Sequence, residues 1–262
     1  MIAYYINCKK QKGIVNEKGK NIINPEKITK IIVKEGTTEI RDIKWYRFQR
    51  YPNLEEIEIP DSVTKIGACA FQKCKNLAKI KLPDNITEIG YCAFEGCSSL
   101  EEIEIPNTVT RIGECAFHDC TNLVRIKLPR GLTVIEDGTF AGCRGLACLE
   151  FPKNLKKIGE MAFMGSGLRS IEMPDSVEKI EKKSFAFCLR VHRIILSQNL
   201  VVIPEAAFIE CDRMENIEIP ENVQKIERGA FLFIKMFSVT IRNPDTEYPK
   251  DAFDKDVKIL SR

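Results

Sequence analysis

The sequence predicts an elongated solenoid of the α/β class, built mainly from short parallel strands joined by short helical turns. Three observations predict it. Prolines recur at Pro60, Pro83, Pro106, Pro129, Pro152, Pro174 and Pro220, with Ser197 holding the register, and every step is 23 residues except one of 22. Phenylalanines keep the same step at Phe71, Phe94, Phe117, Phe140, Phe163, Phe185, Phe208 and Phe231. Within each unit the segment L-x-x-I-x-L places alternate apolar residues on one face, which is strand periodicity. A fixed period of this length marks a stack of repeated units.

Taken in chain order, residues 1–27 match nothing in the repeat and complete an N-terminal cap. Residues 28–53 are a degraded copy that keeps Ile28, Ile31, Val33, Ile40 and Phe48 in register, with three extra residues between Ile40 and Phe48. Eight units then run over 54–235. In each, proline ends the first strand because it has no N–H to give. The segment after it, SVTKIG or TVTRIG, is β-branched and suits a second short strand. The A-F-x-x-C stretch is long enough for one turn of helix, with its Phe filling the middle. Residues 236–262 are a second degraded copy, keeping Met236, Val239, Ile241, Pro244 and Phe253. Atypical terminal units are what a stack needs to close its ends. A coil of this size buries its core only against its neighbours, so 1–53, 54–235 and 236–262 form one continuous domain.

The totals exclude several classes. Hydrophobic content of 44% with 29% charge fits a globular chain rather than a disordered one. No stretch approaches the roughly 18 apolar residues that span a bilayer. Net charge is +3, yet residues 1–53 hold 12 Lys/Arg against 5 Asp/Glu. In the opening MIAYYINCKKQKG the lysines follow the apolar run, so it does not read as a secretory signal. A cytoplasmic location with reduced thiols is the expectation from that absence; cell surface or secreted applies if the sequence is a processed or truncated product.

GECAFHDC (113–120) holds the ingredients of a metal site or an activated thiol. The repeat explains it otherwise. Cys74, Cys97, Cys120, Cys143, Cys188 and Cys211 occupy one position, filled elsewhere by Ser166 and Ile234. Cys69, Cys92 and Cys115 occupy a second, shared with Gly138, Met161 and Ala206. Metal ligands could not be exchanged so freely, whereas a small packing slot could. His118 has no counterpart in its column. No metal and no cofactor are expected.

The unit L-x-x-I-x-L-P-x-x-[VIL]-x-x-I-x-x-x-[AST]-F-x-x-C resembles the BspA-like class of leucine-rich repeats over about 200 residues. That resemblance implies a right-handed, curved, horseshoe-like solenoid with a parallel sheet on its concave side, and a role in recognition or adhesion.

The third and fifth repeat positions point outward from the first strand. They read Glu56/Glu58, Lys79/Lys81, Glu102/Glu104, Arg125/Lys127, then Cys148/Glu150, Ser170/Glu172, Arg193/Ile195 and Asn216/Glu218. Over the first four units the sign alternates, which predicts a self-neutralised ladder of cross-strand ion pairs. Such a ladder makes a poor nucleic-acid site, since backbone binding needs an uncompensated basic stripe. From Cys148 onward the alternation fails, and Arg169, His192, Arg193 and Ile195 make a mixed patch with an apolar centre, the pattern of a partner site. Cys148 belongs to neither cysteine column and is the candidate free thiol. RDIKWYRFQRY (41–51) holds the only Trp, Trp45, amid basic residues; it reads as an end plug, or as a grip on an acidic partner or single strand.

There is no glycine-rich phosphate loop, no HExxH, no GxSxG and no paired carboxylate motif outside the repeat. The function expected is therefore a non-catalytic interaction module, monomeric, taking a protein partner on the concave or edge surface. The alternative is a BspA-like surface adhesin for extracellular protein or glycan. Nucleic acid is the disfavoured partner.

Overall fold

The computed structural model describes residues 2–8, 11–15, 25–40, 48 and 51–261. The repeat fixes its logic. Each coil has three sides, and equivalent residues of successive coils stack one above another.

The first side, here the front, carries the L-x-x-I-x-L segments as parallel strands. It begins with Ile2–Cys8, paired antiparallel with Gln11–Val15 and parallel with Lys30–Val33. Glu56–Glu58 and Lys79–Ile80 follow in the same sheet, with Ile31 opposite Ile57 and Ile57 opposite Ile80. The front then divides into shorter groups: Glu102–Glu104 with Arg125–Lys127, Ser170–Glu172 with Arg193–Ile195, and Asn216–Ile219 with Ser238–Ile241 and Lys258–Ser261. Residues 147–151, where the unit reads ACLEF, form no strand.

The second side, the back, carries the two-residue strands after proline, from Glu39–Ile40 through Lys65–Ile66, Glu88–Ile89 and Arg111–Ile112 to Lys225–Ile226. Glycine stands just past four of these strands, and at Gly90, Gly113 and Gly159 its missing Cβ lets neighbouring coils approach. A Cβ on Gly113 would sit 2.6 Å from the backbone nitrogen of Tyr91, closer than real atoms come.

The third side corrects the predicted fold class. Among the described residues there is no α-helix, and Pro25–Lys27 forms a single 3-10 turn. The solenoid is all-β; the α/β assignment with short helical turns is overturned. The reason is in the backbone of the A-F-x-x-C stretch. Two residues four apart take positive φ in every one of the eight coils: Cys69, Cys92, Cys115, Gly138, Met161, Lys183, Ala206 and Gly229 at the first position, and Lys73, Gly96, Asp119, Gly142, Gly165, Phe187, Glu210 and Phe233 at the second. A helix needs successive negative φ, so none can form. The intervening N–H groups alternate between local and inter-coil acceptors. Phe71 N donates to Ala93 O of the next coil at 2.7 Å, Cys69 N to Tyr91 O at 2.8 Å and Lys73 N to Glu95 O at 2.6 Å. The turns thus build a third inter-coil ladder, which satisfies backbone groups that burial would otherwise orphan.

The core is one contiguous column from Ile28 to Phe253. Ten phenylalanines, from Phe48 to Phe253, stack with centroids 5.0 to 5.7 Å apart. The degraded copies join it in register: Ile28, Ile31, Ile40 and Phe48 at one end, and Val239, Ile241 and Phe253 at the other, are all buried. The main cysteine column lies beside the rings. Cys97, Cys120, Cys143, Cys188 and Cys211 each donate S–H to the Phe carbonyl of the preceding coil, the first three at 3.1 Å. Ser166 in the same slot is itself within 3.4 Å of Cys188 Sγ, whereas Ile234 fills it by packing alone.

Candidate interaction surface

Outward side chains of the front strands are set by alternation. In Arg193–Ile195 the middle Ile194 is buried while Arg193 and Ile195 are exposed. Register places Ser170 opposite Arg193 and Glu172 opposite Ile195. Arg169 and His192 precede their strands and are tied to one another through the backbone, His192 N donating to Arg169 O at 3.0 Å. Arg169, His192, Arg193 and Ile195 are all exposed on these two adjacent coils. Ile195 keeps 40% of its surface exposed. Arg193 is paired diagonally with Glu172, Nη1 to Oε1 at 3.5 Å, so part of its charge is already answered.

Cys148 is exposed in the coil that forms no front strand. Beside it Leu149 and Phe151 are only partly buried, and Phe151 meets Phe163 edge-on at 5.7 Å. Trp45 lies outside the described residues.

The charged ladder differs from its expected form. Lys30 of the first degraded coil stands in register with Glu56 and takes both carboxylates of the next coil: Glu56 at 3.2 Å, and Glu58. These hold the Lys30 ammonium above its usual pKa, with the Glu58 hydrogen bond the larger cause. At the other end Lys127 takes Glu104. The pairs close away from the middle, and Lys79 and Lys81 form no ion pair within 4 Å among the described residues. Nor do the strands Lys79–Ile80 and Glu102–Glu104 pair through their backbones. A cleft of about 640 Å³ lies here, lined by Glu58, Ile59, Lys79, Ile80, Lys81 and Glu102 among others. Ile59 and Ile80 are partly exposed within it, whereas the equivalent Ile103, Ile105, Ile126 and Leu128 are buried. Lys30 was legible in the sequence as a further outward cation in register; the break after Lys79–Ile80 was not.

Alternation also runs up the back. Glu39, Lys65, Glu88 and Arg111 stack in register, with Lys65 to Glu88 at 2.7 Å and Arg111 to Glu88 at 3.2 Å. The Lys65 hydrogen bond is the main cause holding the Glu88 carboxyl below its usual range. Lys157 and Lys179, like charges directly opposite, are both answered by Glu181 at 3.1 and 2.8 Å.

In GECAFHDC, Cys120 is buried and its thiol is pushed up to about 12 by desolvation, while His118 Nδ1 lies 3.4 Å from Asp119 Oδ2. Among the described residues no group of three or more His, Cys, Asp or Glu could hold a metal ion. No helix among them is long and apolar enough to cross a membrane.

Three stacked ladders around a central phenylalanine column define a parallel-strand repeat solenoid. Residues 38–166 and 133–259 match, in six copies, the model for the BspA type leucine rich repeat region, and the chain belongs to that family. Among solved structures it is similar to a leucine-rich repeat protein from Bacteroides ovatus, with 23% identity over 100% of this chain and 92% of that chain and a TM-score of 0.52. It is also similar to the pneumococcal vaccine antigen PcpA, with 20% identity over 94% of this chain and 76% of that chain and a TM-score of 0.56. The T. pallidum leucine rich repeat protein shares 29% identity over 63% of this chain and 65% of that one, with a TM-score of 0.49. No curated protein matches the chain.

Proposed function

We propose that the chain is a non-catalytic protein-interaction module whose partner docks on the front face of the coils from Cys148 to Glu218. One observation carries the reading: Ile195 stands 40% exposed at the end of its strand, outward like Arg193, with Arg169 and His192 exposed just before the two paired strands. Interfaces concentrate their energy in apolar centres rimmed by polar groups, with Arg over-represented. The Arg193–Glu172 pair supports this, because a pre-formed pair on the rim orients a guanidinium without burying a lone charge.

The test is affinity capture of a partner from native lysate, followed by titration of that partner against variants. Ile195→Asp should weaken binding by about 2 kcal/mol or more, the range of a central anchor, and Arg193→Ala by less. Melting curves should stay unchanged. Lys79→Ala and Lys81→Ala should leave binding intact. If those two abolish binding while Ile195→Asp is silent, the partner sits on the charged rows and this placement is wrong.

A further inference from the structure

We propose that Cys92 and Cys115 are a dithiol pair that closes to a disulfide, latching together two coils whose front strands do not pair. Two independent features meet at this junction. On the front, Lys79–Ile80 and Glu102–Glu104 make no strand pairing, and the cleft over Glu56–Lys81 reaches across this junction to Glu101 and Glu102. On the turn side of the same two coils, Cys92 and Cys115 occupy one column position, with Cys69 in the coil before.

The turn ladder fixes their spacing. Cys92 N donates to Glu114 O at 2.9 Å and Cys115 N to Asp137 O at 2.9 Å, so each residue is locked in register with the coil that follows. The Phe94 and Phe117 rings of these coils lie 5.2 Å apart. Equivalent positions at such a spacing fall within the Cα separation of about 4.4–6.8 Å that a disulfide bridges. The thiol direction is also set: a Cβ on Gly138 would lie 2.9 Å from Cys115 Sγ, so a thiol in this column reaches the equivalent position of the next coil. Cys115 is that next position for Cys92.

The other cysteine column cannot compete. Cys97, Cys120 and Cys143 show no accessible surface and give their S–H groups to Phe carbonyls. Cys92 is buried to 3% exposure, but Cys69 and Cys115 on either side are partly exposed, so reagent enters at Cys115.

With a low-molecular-weight disulfide such as oxidised glutathione as the oxidant, the steps balance. The Cys115 thiolate attacks one glutathione sulfur, the glutathione S–S bond breaks, and one glutathione thiol leaves with the proton lost from Cys115. The Cys92 thiolate then attacks Cys115 Sγ of the mixed disulfide, and the second glutathione leaves with the Cys92 proton. Two protein thiols are oxidised and one small disulfide is reduced to two thiols. Burial, and a hydrogen bond to the Glu95 carboxylate, hold the Cys92 thiol well above its ordinary pKa. Closure is therefore slow at neutral pH and quickens about tenfold per pH unit while the thiolate is scarce.

The test uses the full chain carrying Cys148→Ser, incubated with oxidised glutathione at pH 7 and pH 9, then alkylated under denaturing conditions and digested for mass spectrometry. The expected result is a peptide pair joined through Cys92 and Cys115, formed faster at pH 9, and faster in Glu95→Gln than in the parent. Hydrogen exchange at residues 79–82 and 102–105 should slow in the oxidised form. A stable glutathione adduct on Cys115 without closure overturns the proposal. So does a bond from Cys92 to Cys69 instead, or a Cys115→Ser variant that still loses two thiols.

Discussion

At the residue scale, the phenylalanine column carries the largest single contribution. Phe117 is fully buried, stacked at 5.2 Å on Phe94 and 5.7 Å on Phe140, and its carbonyl accepts from Cys143 Sγ. Truncation leaves a cavity that two stacked rings cannot fill without moving their own coils. Phe117→Ala should therefore cost about 3–5 kcal/mol in urea denaturation; a loss under about 1 kcal/mol would show that the rings are not the core. The cysteine beside each ring is a donor as much as a filler. In the second column the residue type matters less than its backbone: Cys69, Met161, Lys183 and Ala206 share only a φ near +55. Reading that column as a small packing slot missed this, because side-chain size is visible in a sequence and a left-handed turn occupied by Met or Lys is not.

At the element scale, the three ladders are held by backbone approach between coils. Gly113 is required on the back because a Cβ there would meet Tyr91 N at 2.6 Å and Gly90 C at 2.7 Å, both backbone atoms that cannot rotate away. Gly113→Ala should cost about 1–3 kcal/mol, as overpacking against fixed atoms does. Gly131→Ala is the control: it has open space around its Cβ and should change stability little. Equal effects from the two variants, read from thermal melts, would mean that the back strands separate freely. The helical turn expected for A-F-x-x-C failed at this scale. Length alone permitted one turn of helix, but the N–H groups at every second residue are claimed by the next coil, and that competition wins.

At the scale of the whole molecule, the buried thiols set an alkaline limit. Burial pushes Cys74 and Cys120 up to about 12 and Cys188 to about 11, and holds Cys97, Cys143 and Cys211 well above the ordinary range. A folded pKa raised above the unfolded value gives stability that is fully present below the unfolded pKa, near about 8.5, and is lost as pH rises through the folded one. Melting temperature should therefore fall steadily from about pH 8 to about pH 9.5, where most lysines keep their charge. Cys143→Ser should flatten that slope, since serine keeps the donor and does not ionise. A melting temperature flat over this range would mean the column is open to solvent. On the acid side Glu88 and Glu181, held low by their lysines, contribute stability that is present near neutrality and lost as pH falls through their depressed values.

The sequence by itself determined the repeat, its register and its buried column. A solenoid coil touches only the coils before and after it, so a residue's environment is fixed by its position in the period, and Pro60, Phe71 and Cys74 announce that position wherever they recur. Even the degraded coils were legible, since Ile31 and Val239 keep their step while losing their neighbours. What only the tertiary structure decided depends on competition between coils. Lys30 pairs with Glu56 and Glu58 and Lys127 with Glu104, while Lys79 and Lys81 line a cleft where an unbroken ladder was expected. The turn side is a third ladder because each coil's amides find acceptors 22 residues on. Alternating signs name the possible partners of a charge, but distance and rival claims choose among them, and those exist only once the coils are stacked.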